Sequence, residues 1–355
     1  MLDISFFKGK KIFITGHTGF KGSWLAFILK NFGADVTGYA LKPKNSFDNF
    51  YLLKLDKSIK NYYNDIRDYS KLKTSLQESK PDIIFHLAAQ SLVKKSFIDP
   101  YLTFSTNILG TINILEDIKT LKSIKSVIIV TSDKCYKNKE KLNGYSENSE
   151  LGGVDPYSAS KAASENVFYS YLNSFYNKPK FNFGLASVRA GNVIGGGDWS
   201  NDRIIPDFIK SIWHNNKFII RRPKSTRPWQ HVFDLLNGYM ILSHKIFKNK
   251  KNNGSWNFGP NKKNITVLDI INEIKKKINS KKKIIIKKDS SIKETGLLSL
   301  KSQKAKKLLN WKPKLTINKS LELTANWYKI FLNDKKSVLN LSKKQVEYFF
   351  YDRRR

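Results

Sequence analysis

Two short stretches of this 355-residue chain bring together side chains that can move protons. Tyr157 and Lys161 stand four residues apart, just after Pro156, where a helix is expected to start. That spacing puts phenol and ammonium on one helix face. A neighbouring cation favours phenolate, so such a tyrosine can act as a base below its ordinary pKa of about 10. The second stretch, Thr131-Ser132-Asp133-Lys134, follows the β-branched run Ser126–Val130. A hydroxyl at the C-terminal end of a strand lies where an α/β sheet binds its ligands. Ser132 can hold an oxygen that is being oxidised while Tyr157 takes its proton. Asp133 and Lys134 add an acid and a base that simple hydride transfer does not need. A Tyr-x-x-x-Lys pair says little alone in a lysine-rich chain; the two stretches together are specific.

A third stretch, Gly16-His-Thr-Gly19-Phe-Lys-Gly22, follows the run Lys11–Thr15 and opens an apolar helical pattern. Glycines let the backbone turn sharply and approach a pyrophosphate, and a helix N-terminus offers unpaired N–H groups to the anion. The spacing is GxxGxxG rather than GxGxxG. The second strand ends in Gly38-Tyr-Ala-Leu-Lys42 with no acid for a ribose, which leaves NAD and NADP both open; Lys42 could meet a 2′-phosphate. Asp65-Ile66 can contact adenine or simply cap a strand-to-helix turn. His86-Leu87-Ala88-Ala89-Gln90 ends a buried run with small residues, which suits close approach of a ligand as well as core packing.

These residues need a scaffold. The first half alternates short β-branched runs (Lys11–Thr15, Asp35–Tyr39, Ile83–Leu87, Ser126–Thr131, Gly184–Arg189) with amphipathic stretches (Gly22–Phe32, Asn107–Lys119, Ser158–Tyr176). That is the pattern of a parallel sheet wrapped by helices. The expectation is a Rossmann-type, doubly wound α/β domain over 1–190, completed by about 228–260. A smaller C-terminal α/β substrate domain is expected from 191–227 and 261–335, with 336–355 as a C-terminal tail. Helices are expected near Ile204–Asn215 and His231–Lys245, and strands at Ser255–Phe258 and Lys282–Lys287.

Composition excludes several other classes. The longest apolar runs are too short to span a bilayer, and the N-terminus lacks the pattern of a cleaved signal. One cysteine, Cys135, rules out an internal disulfide framework and fits a reducing cytoplasm. The net charge of +35 raises nucleic acid as a partner, but of the 64 basic residues only nine are arginine. No basic helix is interleaved with aromatics, and no zinc or RNA-binding motif appears. The lysine runs read as solvated surface, so neither nucleic acid nor membrane is an expected partner, and no metal site is expected.

The strings GHTGFKGSWL, HLAAQSLV, STNILGT, TSDKCY, DPYSASK, VRAGNVIGGGDW, DRIIPD and RPWQHV cover most of the chain. In them it resembles the extended short-chain dehydrogenase/reductase superfamily, and within it the nucleotide-sugar 4,6-dehydratases. TSDKCY and AGNVIGGGDW are similar to the branch acting on CDP-glucose; the dTDP-glucose branch typically carries Asp-Glu where Asp133-Lys134 stands. The resemblance implies NAD as cofactor, held by Gly16, Thr18, Gly19, Phe20, Lys21, Gly22, Asp65, Ile66, Leu87, Ala88, Ala89, Gln90, Asn107, Tyr157 and Lys161. It implies a catalytic set of Ser132, Asp133, Lys134, Tyr157 and Lys161. Oxidation at C4 is followed by loss of the C5 proton to Lys134 and of water from C6 with help from Asp133, and hydride returns to C6. Lys134 as base requires a depressed pKa; the competing reading keeps it charged beside an enolate.

For the nucleotide-sugar substrate the resemblance points to Gln90, Ser132, Asn192, Arg203, Arg227 and His231. Arg203 and Arg227, two of nine arginines in a chain that otherwise uses lysine, suit bidentate diphosphate binding more than a structural ion pair, and His231 reads equally as a core or capping residue. Trp199 and Trp229 border a base or pack a domain junction. His17 and Cys135 read as packing. The string at Lys293 departs from relatives, so no role is carried to it. Relatives commonly dimerise through the Tyr-x-x-x-Lys helix, so a homodimer or higher homo-oligomer is expected.

Overall fold

In Lys11–Thr15 (β1), Ile12 and Ile14 are buried on one face of a sheet and Phe13 on the other, as the two-residue period of a strand requires. The same division runs through Asp35–Ala40 (β2), Ile83–His86 (β4) and Ser126–Val130 (β5), all apolar on both faces. Sheets buried on both sides are parallel and covered by helices. The computed structural model describes residues 2–260, 265–287 and 298–351. It contains a seven-stranded parallel sheet in which β1 lies between β4 and β2. Beyond β2 comes Lys60–Tyr63 (β3); beyond β4 come β5, Gly184–Ala190 (β6) and then Gly254–Phe258 at the far edge.

Strand order reverses between β1 and β4, which creates the crevice where sheets of this kind bind ligands. Loops leaving β1, β4, β5 and β6 all reach that edge. Phe20–Asn31 (α1) and Val232–Lys248 contribute to the core on one face. On the other, Tyr69–Ser79, Gly110–Asp117 and Pro156–Tyr171 pack against Phe13, Ile84 and Ile129.

The smaller lobe is mainly helical, with Ile204–Trp213, Val267–Lys277 and Ile317–Asn333 joined by two-stranded ribbons. One ribbon pairs Ile284–Ile286 with Phe218–Ile220 in parallel. The position of Lys293 lies outside the described residues.

The segment expected to be a tail differs. Val338–Phe350 is a helix whose Val338, Val346, Phe349 and Phe350 are buried. Phe349 and Phe350 meet Phe233 at 5.6 and 6.1 Å between ring centroids, and Phe350 meets Phe32, just past α1, at 5.3 Å. Apolar residues recurring at helical spacing bury a stripe there, which overrides the lysines between them. Among the described residues no helix is long and apolar enough to cross a membrane.

Candidate active site

The loop after β1 is built by close contacts. Gly16 has φ +72°, and a Cβ there would lie 2.7 Å from the Ala88 nitrogen. One at Gly22 would lie 2.1 Å from the Gly16 oxygen. Gly19 is different: its nearest neighbour for a Cβ is 3.4 Å away, and the residue is exposed at the N-cap of α1. No side chain caps that helix end. Thr18 ties the loop to β2 by donating to the Leu41 carbonyl at 3.0 Å. His17 is buried against Asn61 at 2.8 Å, and burial lowers its pKa to about 4, so it packs the loop.

After β4, the Leu87 and Ala88 N–H groups donate to Thr15 Oγ1 at 3.1 Å each. Asn107 locks the following turn to the Tyr157 helix: its Oδ1 accepts from Gln90 N at 2.8 Å, and its Nδ2 donates to Ser160 Oγ at 2.8 Å. The Gln90 amide is itself committed to Thr103 and Leu92. Farther along the edge, Asp65 pairs with Arg67 at 2.7 Å, and Ile66 is buried beneath Gly110.

The catalytic candidates converge. Asp155 caps the Tyr157 helix through Ser158 N at 2.9 Å, with Pro156 in its first turn. Ser132 caps the short turn Asp133–Cys135, and its hydroxyl donates to Asp133 Oδ1 at 3.1 Å. Burial pushes the Asp133 carboxyl up to about 6, against the pull of Lys134 and Lys21. Gly191, at the end of β6, lies against the same carboxyl, where a Cβ would meet Oδ2 at 2.9 Å. Burial lowers Lys161 to about 7, with Lys21 repelling it. Lys21 falls to about 8 through burial and the nearby Arg203 guanidinium.

Tyr157 departs from expectation. Its phenol is pushed up to about 12 by burial, with Ser132 and Arg203 pulling down and Asp133 pushing up. Lys161 does not offset this, because its ammonium is turned to the Val130 carbonyl at 3.4 Å. Helical spacing brings the two onto one face without pairing their charges.

The substrate candidates divide. Arg203 lies within the cluster and pairs with Asp198 at 2.7 Å. Asn192, six residues before Asp198, is exposed, its carbonyl accepting from Gln230 N at 3.1 Å. Arg227 sits on a ribbon of the smaller lobe with Nη1 on the Thr226 carbonyl at 3.0 Å. Of its two readings, His231 fits the capping one: it is buried, caps Val232–Lys248 by accepting from Phe233 N at 3.2 Å, and has its pKa lowered to about 3 by burial. Trp199 packs among Phe47, Trp213, Tyr328 and Phe331.

Sequence reasoning missed what holds this cluster from beneath. Glu165, one turn beyond Lys161, forms a buried ion pair with Arg189 of β6 at 2.7 Å. Thr131 and Ser187 also donate to Glu165. Arg189 continues to the Tyr136 hydroxyl at 2.7 Å and the Glu147 carbonyl at 3.0 Å. Tyr136 in turn donates to Asn257 at 2.8 Å. The signals were present: an acid four residues past Lys161, and one arginine inside an apolar strand.

Among the described residues no group of three or more His, Cys, Asp or Glu side chains is placed to hold a metal. The arrangement suits proton transfer at a sugar-sized ligand lying across the sheet edge. A CDP-glucose 4,6-dehydratase from Salmonella typhimurium is 41% identical over 351 residues, covering 98% of each chain. Two solved structures share the fold at 21% identity. A UDP-glucose 4-epimerase from Thermotoga maritima has a TM-score of 0.78 over 90% of this chain and 99% of that one. A dTDP-glucose 4,6-dehydratase from Bacillus anthracis, solved in complex with NAD, has a TM-score of 0.74 over 93% and 99%. Residues 13–324, which hold the glycine loop, Ser132 to Lys134 and Tyr157 to Lys161, match one family throughout, and the chain belongs to the GDP-mannose 4,6 dehydratase family.

Proposed function

We propose that the chain is an NAD-dependent CDP-glucose 4,6-dehydratase, forming CDP-4-keto-6-deoxyglucose and water. The observation that carries the reaction class is Asp133: a buried carboxyl raised to about 6, held between Ser132 and Lys134 at the ligand edge of the sheet. An acid of that pKa carries a proton in roughly a tenth of the molecules at pH 7, where an ordinary aspartate carries almost none, and hydride transfer alone does not require it. The choice of CDP-glucose rests on the 41% relative.

The residues fit a dinucleotide. The open face at Gly19, the uncapped end of α1 and the Thr18 turn suit a pyrophosphate, while Asp65, Ile66 and Leu87–Gln90 border the rest of its path along the edge. When bound, NAD supplies a hydride acceptor for C4 and the hydride donor for C6. Ser132 holds the sugar 4-oxygen, and Tyr157 accepts its proton as a phenolate, which requires Lys161 to turn from the Val130 carbonyl toward the phenol. Lys161 and Asn107 position that end of the site. With C4 a ketone, Lys134 takes the acidified C5 proton and Asp133 gives its proton to the departing 6-hydroxyl, which leaves as water; Lys134 then returns a proton to C5 when C6 receives its hydride. Arg203, Asn192 and Arg227 bind the CDP moiety, with Arg203 exchanging part of its contact with Asp198 for phosphate.

A second copy completes the assembly. Phe97, Ile98 and Tyr101 are 65%, 84% and 79% exposed, and Tyr169 on the Tyr157 helix is 68% exposed. An apolar stripe of that kind supports a homodimer, and Ile98→Asp should then sediment as a monomer. A fully buried Cys135 as the one cysteine supports a cytoplasmic setting.

Incubation with a panel of nucleoside diphosphate glucoses tests the assignment. The expected product is a 4-keto-6-deoxy sugar from CDP-glucose. Turnover of dTDP-glucose alone removes the substrate claim, and a product keeping its 6-hydroxyl removes the reaction class. Lys134→Met should stop exchange of the C5 hydrogen with solvent; undiminished exchange excludes Lys134 as the base.

A further inference from the structure

The end of β2 carries no acid, although that is where a sheet of this kind ordinarily holds the adenosine ribose. The fold brings one from farther along the chain. A cavity of about 350 Å³ opens beside the N-terminus of α1, lined among others by Thr18, Gly19, Lys42, Asp48, Asn49 and Trp199. It therefore joins the phosphate-binding turn to the end of β2.

Asp48 is the one carboxylate from the β2 side in that wall. It precedes the short helix Asn49–Leu52 and is half-buried. Its Oδ2 accepts from Asn45 N at 3.1 Å, and among the described residues no cation lies within ion-pair distance of it. Burial raises its carboxyl above the usual range. Two more polar atoms of the lining are buried without a partner, Asn49 Oδ1 and Trp199 Nε1. The half-buried Asp48 carboxylate beside the exposed Gly19 turn is what this cavity offers to a polar ligand with hydroxyls.

The competing attraction comes from Lys42 and Lys44. Both are exposed, and Lys42 Nζ stands 6.0 Å from the Tyr63 ring centroid, over β3. Charges at an exposed rim are screened by water and salt more than a half-buried carboxylate is.

We propose that Asp48 is the residue that selects the dinucleotide, accepting hydrogen bonds from the adenosine ribose hydroxyls and repelling a 2′-phosphate. This rests on the NAD reading above. The chain thus replaces the missing acid at the strand end with one eight residues past the end of β2.

Calorimetric titration of the purified protein with NAD⁺ and with NADP⁺ tests this without turnover. The wild type should bind NAD⁺ at least about tenfold tighter, the size of one hydrogen-bonded charge. Asp48→Asn should bring the two affinities within about threefold of each other, and Lys42→Ala should weaken NADP⁺ without weakening NAD⁺. Equal affinities in the wild type overturn the inference. So does an unchanged preference in both Asp48→Asn and Asp48→Ser, each checked for an unaltered melting temperature. Failure of either dinucleotide to bind the wild type overturns the cofactor reading itself, a distinct outcome.

Discussion

Asp133, past the end of β5, and Glu165, one turn beyond Lys161, are both buried carboxylates, 5% and 1% exposed. Burial opposes ionisation of both, yet they end in opposite places. Glu165 meets Arg189 at 2.7 Å together with the Thr131 and Ser187 hydroxyls, and these hold it below the usual range despite burial. Asp133 has one hydroxyl, and two lysines that do not close on it as an ion pair, so burial wins and its carboxyl rises to about 6. Depth is therefore not what makes a carboxylate an acid; the absence of a close, geometrically matched cation is. The chain uses one carboxylate to brace the site and leaves the other able to give up a proton.

The difference can be broken from the bracing side first. Arg189→Met leaves Glu165 charged, buried and unpaired, and should cost about 3–5 kcal/mol of stability. Urea unfolding reads this, and adding Glu165→Leu should recover most of the loss. If the single variant unfolds like the wild type, the pair does not brace the site. From the catalytic side, Asp133→Asn should still oxidise C4 but lose water about a hundredfold more slowly, since general acid help is worth at least that. Single-turnover absorbance of reduced cofactor against product formation separates the two steps; normal water loss removes Asp133 as the acid.

Titration sharpens the contrast because the two signs differ. Asp133 has a folded pKa raised from 3.8 to about 6, so its contribution to stability is complete below about pH 4 and is lost as pH rises to about 6. Glu165 has a lowered folded pKa, so its contribution is present above its unfolded value and is lost as pH falls. Asp133→Asn should therefore flatten the decline in urea midpoint between pH 4 and 7 relative to wild type. An unchanged slope means that Asp133 ionises freely. The smallest effect is expected from Ser187→Ala, which removes one donor to Glu165 and should cost about 1 kcal/mol by thermal unfolding, leaving water loss unaltered.

Much of the site could be read from the sequence because its parts are local. The glycine loop, Ser132 to Lys134, and Tyr157 with Lys161 each sit within a few residues, tied to one strand end or one helix face. The Rossmann-type sheet was legible for the same reason, its strands being continuous apolar runs. Glu165 with Arg189 was not legible, since the pair joins a helix to a strand 24 residues away and is completed by Tyr136 after the turn Asp133–Cys135 and Asn257 on the edge strand. The Tyr157 phenol also escaped prediction: spacing fixes which face a side chain occupies, but only packing turned Lys161 toward Val130. His231 could be read from its motif as a ligand residue or a cap, and only the fold shows it at the helix end. Asp48 could not be placed at the ribose from the sequence, because only the turn after β2 folds it back beside Thr18.

The C-terminal helix alters what can be done to the chain's end. Phe350 rests on Phe32, just beyond α1, the same helix whose other end presents Gly19. A chain cut after Ser337 would bare Phe32 and Phe233 together. Trimming that looks harmless at the level of residue order would expose an aggregation-prone apolar surface.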